Sequence, residues 1–166
     1  VLLRQIRKAP AACGALALGA ALLLVPTPTA LAEGPVRVLG YVANNGGGVS
    51  VLDTATNAVT TTLFDSTGDS PYGVGVAFDG TRGYVTNVRD DTLTVIDTPT
   101  NTVDAAVPVG DGPAGVVVSP FGGHVYVSNY LAGTVSVVDA ATLTTTETIP
   151  VGANADGIAI TPDGKR

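Results

Sequence analysis

The side chains able to do covalent or metal chemistry are few and scattered along this chain. His124 is the single imidazole. It stands where Arg82 and Arg166 stand in neighbouring stretches of similar sequence, at the start of a strand-like segment, so an exposed side chain is expected there. A Ser-His-Asp arrangement would have to join His124 to Ser119 or Ser128, and nothing in their spacing marks an activated hydroxyl. Metal sites built on clustered histidines are excluded within this stretch. Cys13, the only thiol, sits at the front of an apolar run near the N-terminus. Beyond that run the chain has no disulfide, thiolate metal site or cysteine nucleophile.

What recurs instead is oxygen and amide chemistry in two sets of loops. One set covers residues 65–71, 110–113 and 152–156, and the other 44–48, 88–91 and 130–133. Both are expected on one rim of the fold, which makes Asn44, Asp69, Asn87, Arg89, Asp90, Asp111, Asn129 and Asp156 the candidate binding residues. Loop carboxylates and carbonyls are calcium-type ligands, yet no EF-hand or nonapeptide ligand series is present. The residues therefore assign no catalytic group, metal ligand or cofactor, with calcium the one ion considered. The glycines at 46–48 lack the Lys and following helix of a phosphate cradle. With no Trp and three Phe, a stacked quinone cofactor or a sugar-stacking platform is disfavoured.

These loops are hung on a repeat. Tyr41-Val42-Ala43-Asn44 returns as Tyr84-Val85-Thr86-Asn87 and as Tyr126-Val127-Ser128-Asn129, at intervals of 43 and 42 residues. Gly73, Gly115 and Gly157 keep the same interval, and Asp53, Asp97 and Asp139 follow each Tyr by 12 or 13 residues. A period of this length, resolved into short Val-, Ile-, Thr- and Tyr-rich segments between turn residues, predicts an all-β propeller with blades of four antiparallel strands. In the middle copy the segments are 73–78, 83–87, 92–97 and 102–107. The small apolar first segment suits an inner strand, and the polar last one suits a rim strand facing water. Blade boundaries fall near 73, 115 and 157 within a partial propeller at 33–166.

The combination of Tyr84-Val85-Thr86-Asn87, Thr94-Val95-Ile96-Asp97 and Val107-Pro108-Val109-Gly110 resembles the YVTN family of β-propeller repeats of exported, surface-layer-type prokaryotic proteins. The resemblance runs from residue 41 to 166. It implies a ring of more blades than are present, a binding role, and no family-wide catalytic residue. Phe121 departs from the pattern where Asp79 and Asp163 stand, and Ala155 where Pro71 and Pro113 stand.

Twelve segments, including an inner one at 157–160, amount to three blades, whereas closed rings take about four to eight. Three readings follow: a chain whose next residues would be another Tyr-Val-x-Asn, two copies making six blades by strand exchange, or an open arc.

Residues 1–32 read as a secretory signal peptide. Arg4, Arg7 and Lys8 precede an uncharged run from Ala11 to Val25, then prolines and Ala30-Leu31-Ala32. The run is shorter than the roughly 20 apolar residues of a membrane span. Removing the leader leaves five basic against fourteen acidic residues, a net charge of −9. That charge is opposed to the positive footprint of nucleic-acid binding. The reading is a secreted, periplasmic or cell-surface propeller that binds or scaffolds, its partner a protein or envelope polysaccharide. The alternative is a fragment of a lactonase- or lyase-type propeller enzyme whose catalytic residues lie in other blades.

Overall fold

The computed structural model describes residues 38–45, 47–63 and 70–163. The leader at 1–32 and Asp69 therefore lie outside the described residues. Among those described, the ordered elements are eleven strands in three antiparallel meanders, the blades of an incomplete β-propeller. The first sheet is β1 (Leu39–Asn44), β2 (Gly48–Asp53) and β3 (Ala58–Leu63). The second runs β4 (Pro71–Val76), β5 (Arg82–Asn87), β6 (Thr92–Asp97) and β7 (Thr102–Pro108). The third repeats it with β8 (Pro113–Val118), β9 (His124–Asn129), β10 (Thr134–Asp139) and β11 (Thr144–Pro150).

Local chemistry explains the common shape of these sheets. Left-handed backbone returns at equivalent positions: Ser70 and Gly112 before the inner strands, Gly80 and Gly122 in the first hairpins, Asp91 and Gly133 in the second, Asn57, Asn101 and Leu143 in the third. Most of these are Gly, Asn or Asp, the residues that tolerate such a conformation. The third hairpins close as Asx turns, with the Thr100 and Thr142 amides donating to Oδ1 of Asp97 and Asp139 at 2.9 and 2.7 Å. Where Phe121 replaces the turn aspartate, Gly122 keeps the turn and the His124 amide donates to Ser119 Oγ instead. Each outermost pairing carries a one-residue bulge, at Thr60, Asp104 and Thr146. The two threonines donate to Val51 O and Val137 O, while Asp104 pairs with Arg82 at 3.6 Å.

The core lies between blades. Tyr84, Leu93, Val95 and Val107 of the second sheet meet Val125, Val127 and Val138 of the third. Val49 of the first meets Val85 and Ile96 of the second, with Tyr41 and Ala43 against them. At the inner strands the approach is closer than a side chain permits. A Cβ on Gly73 would lie 2.2 Å from Ala114 O, and one on Gly115 would lie 2.6 Å from Asp156 O. Glycine is obligatory at both positions.

The expected inner strand at 157–160 is not a strand. That stretch lies against Gly115 of β8, and the Ser128 hydroxyl of β9 donates to Asp156 O, but it carries no ladder. In the other two four-stranded blades the inner strand pairs with the Tyr-Val-x-Asn strand after it.

Candidate functional site

In the second and third copies the third residue of Tyr-Val-x-Asn, Thr86 or Ser128, holds neighbouring blades in register. Thr86 Oγ1 accepts from the Gly73 amide of its own blade at 2.8 Å and donates to Ala114 O of the next at 2.7 Å. Ser128 repeats this, accepting from the Gly115 amide at 2.9 Å and donating to Asp156 O. The Asn after it faces inward. Asn87 Nδ2 donates to Thr92 and Thr94 hydroxyls at 3.1 and 2.8 Å, and Asn129 Nδ2 to those of Thr134 and Ser136 at 3.0 and 2.9 Å. These amides tie the second strand to the third across its hairpin.

That frame brings the described residues of both loop sets to one end of the blades, around a cavity of about 480 Å3. Its wall is contributed position by position from successive blades. Equivalent residues 72, 114 and 156 are Tyr, Ala and Asp; residues 45, 88 and 130 are Asn, Val and Tyr; residues 89 and 131 are Arg and Leu. Ser70 and Gly112 complete the lining. The frame repeats its residue types from blade to blade and the lining does not.

Of the candidates named from sequence, Arg89 and Asp156 line this cavity, both exposed. Asn87 and Asn129 are buried, 1% and 0% exposed, and their amide nitrogens are committed to the hairpins. Asn44 donates to Ser50 Oγ at 2.8 Å in the first blade. Asp90 and Asp111 are exposed on loops outside the lining. Sequence reasoning missed Tyr72, Tyr130 and Leu131, which are 55%, 41% and 66% exposed and give the cavity its apolar, aromatic character. The available signal for the two tyrosines was their place beside repeated residues, Gly73 and Asn129.

His124 opens β9 at the opposite end from the cavity, beside Asp139 of the paired strand. Asp97 and Asp139 at that end are held below the usual carboxylate range by the threonine hydroxyl and amides of their turns. Burial raises the Tyr84 phenol above its usual value, as it does that of Tyr41, whose hydroxyl donates to Asn101 Oδ1 at 2.7 Å.

The sequence family described as "Cytochrome D1 heme domain" matches residues 36–161. Among solved structures, hydrazine synthase from Kuenenia stuttgartiensis is similar, with 27% identity and a TM-score of 0.70 over 75% of this chain. The chain spans 36% of that one. No curated protein matches the sequence. The expectation of no cofactor, or calcium at most, is overturned by the family match, since the matched family is one of heme domains. The motifs read from the sequence did not point to such a family.

Proposed function

The chain belongs to the cytochrome D1 heme domain family, and on that footing we propose that it forms part of an exported propeller whose loop-end cavity holds a heme. The cavity itself carries the reading. Val88, Ala114 and Leu131 supply apolar wall, Tyr72 and Tyr130 supply aromatic edges, and Arg89 is a cation at the same mouth. A flat, largely apolar ring with anionic substituents needs that combination. Imidazole, thiolate, thioether and phenol are the usual protein ligands of heme iron, and the phenols of Tyr72 and Tyr130 are the members of that set in the lining. His124 is at the far end and does not reach this cavity. Bound there, heme would supply an iron centre for electron transfer or for small-molecule binding.

Export to the periplasm or cell surface is part of the proposal, supported by the leader-like residues 1–32 and the acidic remainder. So is a repeat of YVTN type, supported by the Tyr-Val-x-Asn strands β1, β5 and β9. A binding module is the simplest role for the present blades. The enzyme alternative is favoured by one observation, the similarity to a synthase at 27% identity. Reconstitution of the full chain with hemin, followed by gel filtration, tests the reading. Heme absorbance should travel with the protein at about one per chain, and heme eluting wholly apart from it would overturn the proposal.

A further inference from the structure

The two joints between blades are fastened differently. The joint between the second and third sheets is tied at both ends. At the cavity end Thr86 donates to Ala114 O, and the Gly112 amide donates to Asp91 Oδ1 at 2.9 Å. At the far end the Arg82 guanidinium donates to Ala140 O. The joint between the first and second sheets has, among the described residues, a tie at the far end only: Tyr41 to Asn101. The residue equivalent to Thr86 is Ala43, which has no hydroxyl, and the residue equivalent to Asp91 is Gly48, which has no carboxylate. Between these ends lies apolar contact of Val49, Val85 and Ile96, which is non-directional and tolerates small sliding. Asn45 of the first blade lines the same cavity as Tyr72 and Arg89 of the second, so any movement at this joint changes the width of the cavity mouth.

We infer that the joint between the first two blades is the one that opens, pivoting on the Tyr41–Asn101 hydrogen bond, and that its opening admits ligand to the loop-end cavity. The ligand part of this inference rests on the heme-binding reading; the hinge does not. Position 43 sets the opening rate. A hydroxyl there recreates the tie of the second joint, and removing the Asn101 amide frees the pivot.

Thiol labelling of the full chain in a Cys13→Ser background reads the joint directly. Val85 and Val95 lie on adjacent central strands of one sheet, 1% and 0% exposed, the first facing the first blade and the second facing the third. Global unfolding exposes both equally, so a difference between Val85→Cys and Val95→Cys reports local opening. The expected result is labelling of Val85→Cys about tenfold faster than Val95→Cys. Ala43→Thr should reduce that rate about five- to tenfold, the effect of one added hydrogen bond, and Asn101→Ala should raise it. Equal rates at the two cysteines, or a Val85→Cys rate unmoved by both Ala43→Thr and Asn101→Ala, would overturn the hinge. Stopped-flow mixing with hemin then tests access. Ala43→Thr should slow association and dissociation together with little change in Kd, whereas unchanged rates would show that ligand enters elsewhere. Failure of hemin to bind at all would sink the heme reading and the access role together, while the labelling difference would stand.

Discussion

Two kinds of residue carry the architecture, and they differ in how far away their partners are. Asp97 and Asp139 bond to amides three residues on, a local geometry visible in the sequence as Asp-x-x-Thr. Their carboxylates are held below the reference value of 3.8. A carboxylate with a depressed folded-state pKa contributes stability that is present above its unfolded pKa and is lost as pH falls through the folded one. Thermal stability should therefore be flat in mildly acidic buffer and decline below 3.8; the Asp139→Ala chain should lose part of that acid limb, as a melting series across pH would show. Thr86 is the opposite case. Its acceptor, Ala114 O, is 28 residues distant, so the sequence marked position 86 as a repeat landmark without revealing its latch. Thr86→Val leaves the half-buried Gly73 amide and the buried Ala114 carbonyl without their shared hydroxyl and should cost about 1–3 kcal/mol in denaturant unfolding.

Blade periodicity was legible because the segments and their turns are local. The middle and last copies show it, with four strands between the same left-handed turn positions. What the pattern could not convey is that equivalent residues differ in their neighbours. Gly73, Gly115 and Gly157 are indistinguishable in the repeat, yet the first two face a carbonyl from the next blade and Gly157 faces nothing within 4 Å. Gly73→Ala and Gly115→Ala should each destabilise by about 1–3 kcal/mol through overpacking, while Gly157→Ala should leave the melting temperature unchanged. Residues 157–160 likewise have the composition of an inner strand but carry no ladder. Strand identity in a blade is conferred by the ladder as much as by the residues in it.

For the molecule as a whole, the frame and the cavity were unequally visible. The convergence of two loop sets on one rim follows from antiparallel topology, and it placed Arg89 and Asp156 beside the hollow. Tyr72 escaped because side-chain direction at the start of β4 depends on blade twist and packing, which no periodicity encodes, while Tyr130 and Leu131 lay in the 130–133 loop and were passed over in favour of polar side chains. The heme assignment came from family membership, and the chemistry of the lining accords with it. The most direct test of that assignment is a spectroscopic titration of the full chain with hemin, alongside Arg89→Gln, Tyr72→Ala and His124→Ala chains of unchanged melting temperature. The account predicts saturable one-to-one binding that Arg89→Gln and Tyr72→Ala each weaken by about tenfold, in the range for a lost charged or aromatic contact, and that His124→Ala leaves intact. Binding abolished by His124→Ala and indifferent to Arg89→Gln and Tyr72→Ala would contradict it.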